Sequence, residues 1–173
     1  MNRRQIVKGM AATVGGMLVL PAWASAWNSG SLQGFQSNLV GLEEALLAEI
    51  VEAIIPETDT PGAKKLEVHR FIDKMLADCF DQKSRDIFSK GLKSVETMAS
   101  KSYGKSYLAC TPKQKLEVIT TMSKASDADD QGFARLAKNL TIRGYLSSEY
   151  VMTKLTGYEM APGRYYGCVP VKA

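Results

Sequence analysis

The stretch Val68–Cys79, "VHRFIDKMLADC", decides the fold class. Val68, Phe71, Ile72, Met75, Leu76 and Cys79 keep the i, i+3, i+4, i+7 spacing that lays one apolar stripe along an α-helix. A half-buried strand would instead need strict alternation. No part of the chain alternates for long enough to demand a sheet.

The same period runs outward in both directions. Upstream, Leu42, Leu46, Ile50 and Ile54 recur every four residues, with Leu47, Val51 and Ile55 beside them. Glu43, Glu44, Glu49 and Glu52 are expected to face away. Pro56 should stop this helix, because proline cannot continue the backbone ladder. "PETDTPGA" then reads as a turn. Pro61 suits its fixed φ, Gly62 suits a positive one, and Asp59 or Thr60 can cap the next helix.

Downstream, Ile87, Phe88, Leu92, Val95 and Met98 predict a helix over Ser84–Lys101. Thr111-Pro112-Lys113-Gln114 is a capping-box start, opening a helix with Leu116, Ile119 and Met122 on one face. Asp127, Asp129 and Asp130 precede a fifth helix carrying Phe133, Leu136, Ala137 and Leu140. A shorter helix is expected over Ser148–Leu155, then the irregular tail "YEMAPGRYYGCVPVKA". The expected fold is all-α: a compact helical bundle of about five to six helices with an irregular C-terminal arm.

The beginning of the chain has a different character. "NRRQIVKG" places Arg3 and Arg4 before an apolar run, Gly9 to Leu20, and then "PAWASAW". This is the layout of a twin-arginine export signal, with Ala24 and Ala26 as the small residues of a cleavage site. As a helix the run would be about 18 Å long, too short to span a hydrocarbon core. Residues 1–26 are therefore read as a signal peptide and the mature chain as starting near Trp27. An ordinary secretory signal with two arginines by chance would also take the protein out of the cytoplasm. Residues 27–38 read as a flexible lead-in, and 39–173 as one helical domain. If the signal were retained, Trp23 and Trp27 would suit a membrane interface.

Charge and cysteine content narrow the function. Of the formal net charge of +4, Arg3, Arg4 and Lys8 lie in the signal, which has no acidic residue, so the mature domain carries about +1. Nothing there argues for a nucleic acid partner. The cysteines are Cys79, Cys110 and Cys168. An odd number in an oxidising compartment allows one internal disulfide and a leftover thiol, or a bond to another chain. Cys79 belongs to the apolar stripe and reads as a buried thiol. Cys110 and Cys168 are the candidate disulfide, and the alternative has Cys168 facing a partner chain.

Catalytic patterns are weak. His69 is the single histidine and has no nucleophile in a local motif, so it reads as a surface or partly buried helix residue. "DADDQGF" spaces Asp127, Asp129, Gln131 and Gly132 like the start of a calcium loop. The twelfth position is Lys138, where such a loop needs glutamate, and helix capping explains the aspartates better. No Gly-rich phosphate loop follows a strand. Tyr158, Tyr165, Tyr166 and Arg164 are either tail packing or an interface anchor.

Taken together, the Arg3-Arg4 start, "IIPETDTPGA" (Ile54–Ala63) followed by "HRFIDKML", and "LTIRGYLSSE" (Leu140–Glu149) closing with "PGRYYGCVP" (Pro162–Pro170) resemble the gluconate 2-dehydrogenase subunit 3 family. The resemblance covers essentially the whole mature chain. It implies a noncatalytic helical small (gamma) subunit, with no cofactor of its own. It further implies a large partner of the glucose–methanol–choline type that binds FAD and oxidises a sugar or sugar acid. Electrons would then pass to a cytochrome subunit carrying haem c, or to another acceptor. In such complexes the small subunit typically carries the export signal, so a periplasmic location is expected, peripheral to the inner membrane through the complex.

The turn residues Thr58, Asp59, Thr60, Pro61 and Gly62 are candidates for the partner surface, with Gly144, Tyr145, Ser148 and Glu149, and with Pro162, Gly163, Arg164, Tyr165 and Cys168 of the arm. These segments are Gly/Pro-bearing or irregular and carry polar and aromatic residues. A freestanding periplasmic binding or chaperone protein is the alternative, and a carboxylate-based enzyme a more distant one.

Overall fold

Start and stop signals written into the chain set the helix ends. The computed structural model describes residues 27, 29–32, 39 and 41–158. They form α1 (Leu42–Ile54), α2 (Val68–Cys79), α3 (Gln82–Tyr103), α4 (Pro112–Ser123) and α5 (Ala128–Leu146). Two 3-10 turns, Ser29–Leu32 and Tyr107–Ala109, and a π-helical turn, Val151–Leu155, accompany them. No strand is present among the described residues. The bundle is all-α, as the periodicity requires.

Capping follows side-chain chemistry. At α4 the Gln114 amide N–H donates to the Thr111 hydroxyl (3.4 Å) and the Thr111 N–H donates to the Gln114 side chain (2.9 Å), closing the expected box. Asp81 accepts from the Ser84 N–H at the start of α3, and Gly104 ends that helix at φ 66°. Asp127 caps α5, accepting from the Asp129 N–H at 3.0 Å. The aspartate cluster is thus built as a helix start.

α5 lies at the centre and packs against each of the other four helices. Leu47, Ile50 and Val51 of α1, Val68 and Ile72 of α2, Phe88, Leu92 and Val95 of α3, Met122 of α4 and Phe133, Ala137 and Leu140 of α5 form a single core. Phe133 lies over α3, its ring 5.1 Å from that of Phe88. Among the described residues no helix is long and apolar enough to cross a membrane.

Several expectations are corrected at helix ends and faces. Leu42 opens α1 but is 70% exposed. Cys79, the last residue of α2, is exposed rather than buried. On α4 the buried stripe is Lys115, Val118, Ile119 and Met122, so Leu116 faces solvent and a lysine takes the apolar position. Glu49 does not face away from the bundle. It accepts from the Lys115 ammonium at 2.6 Å and from Lys64 at 2.5 Å. Lys115 also lies 5.9 Å from the ring centre of the buried Tyr107. Helical period locates a stripe; only the covering neighbour decides that a lysine stem with a paired head can occupy it.

Candidate functional site

The two segments singled out in the sequence, the 56–63 turn and the end of α5, meet in the fold. The turn is built around a carboxylate. Glu52, in the last turn of α1, accepts the Glu57 N–H at 2.8 Å and the Lys64 N–H at 3.0 Å. The loop thus folds back over the helix it leaves. The Ala63 N–H closes it by donating to Ile55 O at 3.0 Å, and within it the Thr58 N–H donates to Thr60 O.

Gly62 is needed here for space. Its φ is not in the left-handed region, contrary to the expectation for this turn. A methyl group on it would lie 2.6 Å from both Glu52 carboxylate oxygens and 2.6 Å from the Glu57 nitrogen. Nor do Asp59 and Thr60 cap the next helix. A hydrogen-bonded turn intervenes over residues 63–67, and Glu67 precedes α2 at φ 55° with no side-chain cap.

Tyr145 ties the turn to α5. Its hydroxyl donates to Pro61 O at 3.1 Å. With that proton committed, the Thr60 hydroxyl, 3.3 Å away, is the donor to the tyrosine oxygen. One residue earlier, Gly144 is buried. A methyl group there would approach Phe71 to 2.7 Å and Val68 to 2.9 Å, so its absence lets α5 cross close to α2. The Gly144 carbonyl then serves a third segment. The Trp27 indole N–H donates to it at 2.7 Å, and the indole stacks on Phe71 with centroids 5.1 Å apart. The Glu149 N–H donates to Trp27 O at 3.0 Å, in a bridge with Ser148. Ser148 is itself buried, its hydroxyl donating to Tyr145 O at 2.7 Å.

Two residues of the expected lead-in, Trp27 and Leu32, are therefore part of the buried core. Beside Trp27 opens a cleft of about 280 Å³, lined in part by Lys65, Leu66, Glu149, Tyr150 and Lys154. Lys65 pairs with Glu57 at 2.5 Å. Of the candidate surface residues, Gly62, Gly144 and Ser148 are buried, Thr60, Pro61 and Tyr145 are half-buried, and Thr58, Asp59 and Glu149 are exposed. The fold itself accounts for the buried ones. Arg3, Arg4, Ala24, Ala26, Pro162, Gly163, Arg164, Tyr165 and Cys168 lie outside the described residues. So does one half of the candidate disulfide; its other half, Cys110, is a buried thiol that donates to Ser106 O at 3.5 Å.

Electrostatics point to structural roles. Partial burial pushes the Glu49 carboxyl up, but hydrogen bonds from Lys115 and Lys64 outweigh it and hold the group below the usual carboxylate range. Burial lowers the His69 imidazole, against the pull of Glu44 and Glu67. Its Nε2 is 3.9 Å from Glu44 Oε1. Among the described residues no group of three His, Cys, Asp or Glu side chains is placed to hold a metal ion.

The sequence does not reveal the roles of Trp27 and Glu52. Trp27 is a large apolar residue in a polar stretch, which is the one available signal. Glu52 looks like any solvated helix glutamate until the loop closes on it. Against known proteins, the family model for gluconate 2-dehydrogenase subunit 3 matches residues 42–163. No curated protein and no solved structure matches the chain.

Proposed function

Because the chain belongs to the gluconate 2-dehydrogenase subunit 3 family, we propose that it is the noncatalytic small subunit of a periplasmic FAD-dependent sugar or sugar-acid dehydrogenase. In this reading it stabilises a large flavoprotein of the glucose–methanol–choline type and carries it through the twin-arginine route. In this reading the large subunit holds FAD and passes its electrons to a c-type cytochrome subunit or another acceptor. The observation that carries the reading is the family match, which takes in all five helices and both segments that meet at Tyr145.

The arrangement of the site is compatible with a docking role. Glu49 and Glu52 are engaged by lysines and loop amides, so the strongest carboxylate sites are internal supports. The exposed crest of the turn, Thr58 and Asp59, stands on a rigid base of Glu52, Pro61 and Tyr145. A crest presented in this way costs little further ordering on binding. In this reading the crest, with the exposed Glu149, is offered to the large subunit.

A tagged chain recovered from the periplasm tests this directly. The expected product is a yellow complex with a much larger polypeptide and a flavin absorption spectrum. A colourless, solitary small protein would overturn the reading.

A further inference from the structure

Two neighbouring clefts, of about 330 and about 320 Å³, open along α3 beside the start of α1 and share Glu43 on the α1 rim. On the α3 side the first is lined by Arg85, Asp86 and Ser89, and the second by Lys93, Glu96 and Thr97. Their helical spacing puts all six on one face of α3. The clefts therefore follow a single stripe about 18 Å long. Buried Phe88 and Leu92 close its floor, while Leu42 stands at its mouth, 70% exposed.

The charges along this stripe are unevenly served. Asp86 accepts from the Gln82 side-chain amide at 2.9 Å, and Glu96 accepts the Tyr107 N–H at 3.1 Å. Asp73, buried in the first cleft, also has its own partner. Arg85 and Lys93 form no ion pair among the described residues, and the Arg85 Nε is buried without a hydrogen-bond partner. A buried donor left unmet is unfavourable, so the α3 edge is short of acceptors. Glu43, on the opposite rim, is the acid of the groove that lacks a partner among the described residues.

We propose that this stripe is a docking groove for an amphipathic helix of another chain. The apolar side of that helix covers Leu42, and its edge toward α3 carries two carboxylates, one for Arg85 and one for Lys93. These two cations are eight residues apart in the chain, about 12 Å along α3. Two acids a little over two turns apart on an aligned helix match that distance, in the manner of helix-in-groove recognition. Glu43 favours a basic residue on the other edge. The groove lies at the start of α1, whereas the 56–63 turn follows its end. The inference thus goes beyond the subunit reading and does not depend on it.

The test uses the purified full-length chain and two labelled helical peptides of about four turns, followed by fluorescence anisotropy. Both peptides carry leucines along one face. One has glutamates spaced like Arg85 and Lys93, and the other has lysines in their place. The glutamate peptide should bind about tenfold more tightly than the lysine peptide. Arg85→Glu combined with Lys93→Glu should invert that order, and Leu42→Asp should weaken the glutamate peptide about tenfold, with helical circular dichroism kept in both variants. If the double variant loses its helices, Lys93→Glu alone decides, because Lys93 is exposed; the preference should then fall several-fold. Equal binding of the two peptides overturns the proposal, as does a preference that survives the charge reversal or a Leu42→Asp chain that binds unchanged. So does a failure of both peptides to bind, the result that a groove filled by the chain's own segments would give. Sedimentation that shows the chain pairing with its own copy, and losing that pairing in Leu42→Asp, overturns it in favour of a dimer face.

Discussion

At Gly62 the absent side chain matters because the Glu52 carboxylate fills the space where it would be. Both carboxylate oxygens and a backbone nitrogen lie within 2.6 Å of the missing methyl group. Gly62→Ala should therefore destabilise the fold by about 2 kcal/mol, in the range of overpacked sites, seen as a lowered urea midpoint. Glu49 gives a second case. Replacing Lys115 by methionine keeps the buried stem but leaves Glu49 with Lys64 alone, and should cost about 2 kcal/mol, less than breaking a wholly buried pair. Titration adds a third. The unfolded chain protonates its imidazole near pH 6.5, whereas the half-buried His69 does so only at lower pH. The unfolded state then binds more protons, so stability is complete above about pH 6.5 and falls as the medium is acidified through the folded value. Glu49 repeats this at lower pH: its contribution is complete above about pH 4.3, the unfolded carboxylate value, and is lost as pH drops through its lowered folded value. Urea melts across pH should show both declines, and His69→Gln should abolish only the first.

The helices show how far local rules reach. The α4 capping box, the Asp127 cap and the end of α1 before Pro56 are all legible from neighbouring residues, because the groups involved bond within one turn of each other. Orientation about the helix axis is less legible, as Lys115 replacing Leu116 in the α4 stripe demonstrates. Contacts between elements are not legible at all: nothing near Tyr145 announces that its hydroxyl will reach Pro61. Tyr145→Phe removes that tie and leaves Pro61 O and the Thr60 hydroxyl without their partner. It should cost about 1 kcal/mol and lower the thermal midpoint without changing helical content. Gly144→Ala should do more, because its methyl group meets Phe71 and Val68 and pushes α5 off α2. A loss of about 2 kcal/mol is expected, together with a red shift of Trp27 emission as its stack on Phe71 opens.

For the whole molecule, the decisive fact is convergence. Residues of the 56–63 turn, the last turns of α5 and Trp27 come from three separate parts of the chain and share one end of the bundle. Asp59 is exposed on that end, so Asp59→Arg should leave the melting curve unchanged while reducing recovery of the large subunit several-fold, as reversal of a rim charge does. Equal recovery would remove Asp59 from the contact surface. The sequence by itself determined the helical class, the number of main helices, the starts of α4 and α5, the stop of α1 and the family motifs, because periodicity and capping act over a few neighbouring residues. Only the tertiary structure decided that Glu49, Glu52 and Lys115 work inside the fold, that Gly62 and Gly144 are there to make room, and that Trp27 is core. Each of those outcomes depends on what covers the residue, and the covering groups come from distant parts of the chain.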